Sequence, residues 1–387
     1  MLLTADKIHD GHRWLPAGTV VEVDDAGNIV ALHAHGKQEA QFFDGVLCPG
    51  FVNTHCHLEL SHLKGKIPER TGLVSFLQQV MALRPQFDHP EQRVEARRKE
   101  FHTMYENGIV AVGDISNTND TLDIRGEGKV HFHTFVESIG FTETPQKQFA
   151  GSTEVHSNFT TQASEKVRLV QSIVPHAPYT VSHVLFRMID KHDTGSLISI
   201  HNQESPAEDD YYFMKKGGMQ TLLHGVGIND DFFVPSGKSS LQTYLEWMSP
   251  THPFLFVHNT YTKRNDVEVA KTLLPELSWC LCPGANLYIE DALPDIGMFI
   301  QEGVKICIGT DSLASNHQLC ILTELSTIKQ HYPNIEWAQL LRWGTYNGAH
   351  ALQMDDLVGT IAPGMQPGIL QLQGLDSDQK PTVKRII

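Results

Sequence analysis

The chain is short of cysteine, of positive charge and of long apolar runs, and each shortage closes off a class of protein. Its six cysteines (Cys48, Cys56, Cys280, Cys282, Cys307 and Cys320) include no CxxC pair, the spacing that clamps structural zinc or runs redox chemistry. They read as reduced, buried thiols, with Cys280 and Cys282 as two residues on one face of a strand. Lys and Arg number 30 against 45 Asp and Glu, a formal net charge of −15. Such a balance repels polyanions and argues against a nucleic-acid polymer or an anionic membrane as partner. No stretch is uniformly apolar over the roughly 20 residues a membrane span requires, and the N-terminus turns polar at Thr4 without the apolar core of a secretory signal. The expectation is a cytoplasmic protein whose partners are a small molecule and water, with a homodimer left open.

What the chain does have is length and a change of texture. With 387 residues, 41% of them apolar, it can bury a large core. Residues 1 to 48 hold short β-type runs, such as Thr19 to Val23 and Ile29 to Leu32, broken by turns such as Asp24 to Asn28. The segment 359–387 has the same texture. Neither end can cover its own apolar faces, so the two are expected to share one small composite β-sandwich domain. Between them, residues 49–358 alternate short apolar runs with amphipathic segments, the pattern of βα units around a parallel sheet. Eight runs end near His57, Asp114, Glu137, His176, His201, His258, Cys282 and Asp311. Helical patterns fall at 73–83, 92–105, 266–274 and 319–331. The fold class is therefore α/β, an eightfold TIM-type barrel, whose chemistry gathers at the C-terminal ends of its strands.

Seven of those eight ends carry His, Asp or Glu, a regularity that packing alone does not require. In Gly50-Phe51-Val52-Asn53-Thr54-His55-Cys56-His57, strand alternation puts His55 and His57 on one face. The chain has 22 histidines, and His33/His35 and His131/His133 repeat the spacing; these two pairs are assigned to structure or surface. His201 follows the fifth run with Glu204 three residues on, His258 follows the sixth, and Asp311 follows the eighth. Imidazole nitrogen and carboxylate oxygen suit Zn²⁺ and related ions, and an open position would hold a water whose pKa falls toward neutrality. His55, His57, His201 and Asp311 are the candidate metal ligands. Glu59 and Ser61, just past the histidine pair, are candidates to touch substrate. The acidic run Glu208-Asp209-Asp210 reads as a solvated helix start, with part of a lid after Glu204 as the alternative.

These motifs, with "PHAPYTVS" at 175–182, "LCPGAN" at 281–286 and "GTDSLASN" at 309–316, resemble the mononuclear deaminase and chlorohydrolase branch of the amidohydrolase superfamily along essentially the whole chain. The resemblance implies one divalent metal, zinc ahead of iron, because the carboxylated lysine of binuclear members has His176 in its place. It implies that Asp311 takes a proton from the attacking water, that His258 steadies the hydroxide and the oxyanion, and that Glu204 protonates the ring nitrogen and then carries a proton to departing ammonia. His176 would bond the substrate. The segment 57–84 looks similar to the group that deaminates 6-aminodeoxyfutalosine in an alternative menaquinone route. The implied activity is hydrolytic removal of ammonia from an amino-substituted purine-type nucleoside or N-heterocycle. Dechlorination of such a ring, or hydrolysis of a cyclic amide, would use the same groups, and a barrel that binds metal without catalysis is the non-enzymatic alternative.

Overall fold

The computed structural model describes residues 1–34, 39–87, 89–377 and 379–387. Both ends of the chain meet in one six-stranded sheet. Strands β1 (Leu2–Ile8), β2 (Val20–Val23), β3 (Ile29–His33) and β4 (Gln41–Pro49) come from the N-terminal end, and the last two strands of the chain join them in the order β14-β13-β4-β1-β2-β3. Here β13 is Ile369–Gln373 and β14 is Thr382–Arg385. One face builds a small core from Leu3, Val21, Ile29, Leu47, Ile361 and Ile369, while Cys48, Leu370 and Leu372 join the main core next door. Of the His33/His35 pair, His33 bonds Glu22 at 2.7 Å on this sheet, and His35 lies outside the described residues.

Gly50 turns the chain into the barrel. Its eight strands are β5 (Phe51–Cys56), β6 (Ile109–Ser116), β7 (His131–Ser138), β8 (Leu169–Pro175), β9 (Ile198–Asn202), β10 (Phe254–His258), β11 (Leu277–Leu281) and β12 (Ile306–Ile308). Neighbours are parallel throughout β5-β6-β7-β8 and β9-β10-β11-β12. Most strand residues are buried, so they read as continuous apolar runs, as parallel strands covered on both sides do. The four sequence-predicted helices lie at Leu73–Leu83, Pro90–Glu106, Arg264–Leu273 and Ile321–His331. Among the described residues no helix is long and apolar enough to cross a membrane.

Two seams close the ring. At one, the His201 amide donates to the His176 carbonyl at 3.0 Å. At the other, the amides of Thr310 and Asp311 donate to the His55 carbonyl at 3.0 and 3.1 Å, and Asn53 holds Thr310 through its amide at 2.8 Å. Gly309 makes this second seam sterically feasible: a Cβ there would lie 2.8 Å from both Cys280 Sγ and His55 Cβ. The six cysteines are free and buried, and Cys280 and Cys282 sit 3.9 Å apart at the end of β11.

His131 and His133 are structural. His131 Nδ1 accepts the Arg168 amide at 2.8 Å, and His133 stacks on Phe135 with its Nε2 3.2 Å from Ser172 Oγ. Burial lowers the His133 pKa to about 4. Between about 6.5 and 4 the ring is therefore neutral in the fold and protonated in the unfolded chain, so its contribution is present above that window and lost as pH falls. Wild type should lose about 1.4 kcal/mol more stability per pH unit than His133→Phe between pH 6 and 4.5. Urea unfolding of both at several pH values checks this, and parallel pH dependences would contradict it.

Candidate active site

The ends of β5, β8, β9, β10 and β12 aim their side chains at one point. His57 Nε2 lies 3.1 Å from His55 Nε2, 3.3 Å from His201 Nε2 and 3.2 Å from Asp311 Oδ1, and His55 Nε2 is 3.5 Å from the same oxygen. Donors about 2.0 to 2.1 Å from a shared ion at tetrahedral angles would stand roughly 3.3 Å from one another. The spacing fits a single tetrahedral cation.

Burial sets the protonation state. It lowers His57 to about 3, takes His201 well below its ordinary value and lowers His55, which leaves neutral imidazoles, the ligand form. Asp311 goes the other way: burial alone would raise it, but the hydrogen bond to His55 and the neighbouring rings hold it well below the usual carboxylate range. The His201 Nδ1–H is given to the His176 carbonyl at 2.9 Å, so its Nε2 faces inward with a free lone pair. Asp311 Oδ2 accepts from Ser315 Oγ, which leaves Oδ1 for the centre.

His258 and Glu204 stand beside this set. Asn286 orients His258: its Oδ1 accepts the Nδ1 hydrogen at 3.0 Å while its Nδ2 reaches the His258 carbonyl at 3.4 Å. Among the described residues the bare Nε2 of His258 is buried without a hydrogen-bond partner, 3.7 Å from Glu204 Oε1. Burial pushes Glu204 well above the carboxylate range, with the charges of Asp311 and Glu290 adding to it. His258 and Asp311 hold φ of 70° and 56°, left-handed backbone that costs non-glycine residues about 1–3 kcal/mol and that gathers at functional sites.

The centre opens into a cavity of about 300 Å³. Leu73, Phe76, Leu77 and Val80 wall it from one helix, and Leu222, Leu223 and Val226 from another at Gly218–Gly225. Arg84, Asn117, Glu137, His176 and Thr180 are its polar groups away from the centre. The His176 Nδ1 is 2.7 Å from Thr180 Oγ1, so its other ring nitrogen is available to the cavity. A hollow of about 430 Å³ at the other end of the barrel is different in kind, because its charges pair with one another, as Arg168 with Asp356 at 2.7 Å and Glu276 with His350 at 3.1 Å.

Two expected substrate contacts do not reach this cavity. Ser61 is buried and donates to Leu58 O at 2.8 Å, closing a turn of the 3₁₀ helix Leu58–Leu63. Glu59 is buried too, with its carboxylate accepting from the amides of Asn117 at 3.1 Å and Thr118 at 2.7 Å and from the Thr118 hydroxyl at 2.7 Å. The acidic run also differs from its reading as a solvated helix start. Glu208 is fully buried, accepts from the Gln203 amide at 3.0 Å and from Ser240 Oγ, and is raised to about 8 by burial; it pins the residue next to Glu204. Sequence reasoning missed Asn117 and the helix 218–225, and gave Asn286 no role of its own although "LCPGAN" contains it.

Fold and site together define a barrel with a candidate histidine–carboxylate metal centre at the C-terminal ends of its strands. The model of the amidohydrolase family matches residues 46–383, and the chain belongs to that family, whose members hydrolyse carbon–nitrogen bonds. It is 26% identical over 346 residues to the adenosine deaminase of Helicobacter pylori, covering 87% of this chain and 81% of that one. It is 25% identical to the aminodeoxyfutalosine deaminase of Deinococcus radiodurans, covering 90% and 84%. The crystal structure of H. pylori aminofutalosine deaminase in complex with methylthio-coformycin superposes over 100% of both chains with a TM-score of 0.83 at 20% identity.

Metal analysis tests the centre. The purified protein should bind one divalent ion per chain, and His57→Ala or Asp311→Ala should weaken binding by roughly 10²-fold or more, since loss of even an outer partner costs 10–100-fold. Chelator competition measures this; unchanged affinity in either variant would remove that residue from the ligand set.

Proposed function

We propose that the protein is a hydrolytic deaminase that removes ammonia from an amino-substituted purine nucleoside. The observation that carries this reading is Glu204, a buried carboxyl 3.7 Å from His258 that stands beside a metal-type centre without belonging to its donor set. Zinc suits the three nitrogens and one oxygen of that set. When bound, the ion supplies a lowered water pKa at neutral pH. Asp311, with Oδ1 facing the centre, accepts the proton of the attacking water. His258, its Nε2 free to accept, steadies that water and, once protonated, faces the oxyanion. Glu204 donates its proton to the ring nitrogen beside the attacked carbon, which lets that carbon become tetrahedral. Left as a carboxylate, it takes up the proton of the added hydroxyl and passes it to the amine, so that the oxygen becomes a carbonyl as ammonia leaves, and Asp311 then returns the proton it took from the water. His176 offers the substrate ring a hydrogen bond through the nitrogen that Thr180 leaves free.

Both deaminases named above act, by their names, on adenosine-type compounds, and 6-aminodeoxyfutalosine is the specific substrate we propose. The apolar walls favour it, because they would bury an apolar group at the far end of a nucleoside. Dechlorination would not need Glu204 to carry a proton to an amine, which places it second.

Ammonia release from zinc-loaded protein, over aminodeoxyfutalosine, adenosine, adenine, guanine and aminated triazines, tests the reading. Release from at least one aminopurine nucleoside is expected, and release from none would sink it. Glu204→Gln should keep its metal and lose roughly 10²- to 10⁴-fold in kcat, the range for an acid–base group. Full activity in that variant would rule the role out.

A further inference from the structure

The HLE segment that follows the first strand is left over by the chemistry above. Glu59, 4% exposed, spends both carboxylate oxygens on the loop after β6, with three donors from Asn117 and Thr118 at 2.7–3.1 Å. Burying a carboxylate is costly unless it is fully hydrogen-bonded, and what this one fixes is the position of Asn117. The Asn117 side chain in turn donates to Glu137 Oε2 at 2.9 Å at the end of β7. Both side chains line the cavity.

Glu137 is 6% exposed and lies outside the His55, His57, His201 and Asp311 set, with one carboxyl oxygen within 4.8 Å of ligand atoms of His176 and His201. Among the described residues the nearest donor to its Oε1 is His201 Nδ1 at 3.5 Å, and that hydrogen is already given to the His176 carbonyl at 2.9 Å. One carboxyl oxygen is thus turned into the cavity without a partner. It lies on the Nδ1 side of the His201 ring, whose Nε2 faces the metal centre, and aliphatic side chains such as Ile139 and Val80 line the same chamber. The group such a position wants is a neutral hydrogen-bond donor, and a hydroxyl, which also accepts, can engage both the carboxyl oxygen and the Asn117 amide.

We infer that Glu137 and Asn117, held in place by Glu59, form a subsite for the hydroxyl groups of the substrate's sugar. This rests on the deaminase reading above and narrows it to nucleosides over free heterocycles. A buried hydrogen-bonding site discriminates strongly against a ligand that lacks the matching hydroxyl, because its own polar groups are then left unpaired.

The test compares kcat/KM for adenosine, 2′,3′-dideoxyadenosine and adenine in the zinc-loaded protein. Wild type should prefer adenosine to the dideoxy compound by about 50-fold or more, a discrimination within reach of one buried hydroxyl contact. Glu137→Leu should lose that preference, with adenosine turnover falling about 50-fold and dideoxyadenosine turnover changing less than about 3-fold. Metal loss or partial misfolding lowers both substrates alike and leaves their ratio unchanged, so equal losses on the two would overturn the inference. Asn117→Ala, a smaller change should Glu137→Leu fail to fold, is expected to reduce the ratio about tenfold, and an unchanged ratio would also overturn it. Adenine deaminated as fast as adenosine by wild type would overturn the sugar subsite while leaving the deaminase reading in place. No ammonia from any of the three, or from aminodeoxyfutalosine, would instead remove the deaminase reading itself.

Discussion

The seam where the last barrel strand meets the first is the contact on which the rest depends. The His55 carbonyl takes the amides of Thr310 and Asp311, and the opposite seam is the His201 amide on the His176 carbonyl. In each case the residues whose backbones close the ring also present the side chains that face the centre. Barrel closure and assembly of the donor set are therefore one event. With neutral imidazoles around an ionised Asp311, the centre buries a net negative charge, which costs several kcal/mol when left unpaired. A bound cation reverses that sign, so the metal stabilises the same seams that position it.

The chamber above this floor is divided by chemistry. Near the centre several polar groups have their orientation fixed by another: Asn286 holds His258, Ser315 holds Asp311, the His176 carbonyl holds His201 and Glu208 holds the residue before Glu204. Farther out, the helices Leu73–Leu83 and Gly218–Gly225 supply aliphatic walls. Those walls have a second effect. By excluding water they raise Glu204 above the ordinary carboxylate range, as burial does for any carboxyl group that lacks a cationic partner.

Much of this was legible in the sequence, and the reason differs from residue to residue. The eight strands announce themselves because parallel strands buried on both faces must be apolar throughout, and the helix at 73–83 because its apolar residues recur at helical spacing. The convergence of His55, His57, His201, His258 and Asp311 followed from their shared place at strand ends. Ser61 is spent on a local turn with Leu58, whereas Glu59 and Glu208 were misplaced for one common reason. A buried acid or hydroxyl looks identical in sequence to a solvated one, and its partners, such as Thr118 for Glu59 or Ser240 for Glu208, lie tens of residues away. The helix at 218–225 is short and flanked by glycines, so its apolar residues gave too little periodicity to separate it from a loop.

Hydrogen exchange resolved to the segments 51–57, 198–204 and 306–312, with one equivalent of zinc and after chelation, tests the coupling of closure to metal most directly. The account predicts that zinc slows exchange at the amides of His201, Thr310 and Asp311 by about tenfold or more, the effect of at least ~1.4 kcal/mol on local opening, while the terminal sheet at 2–8 and 20–33 is unchanged. Equal exchange at those amides with and without metal would contradict it.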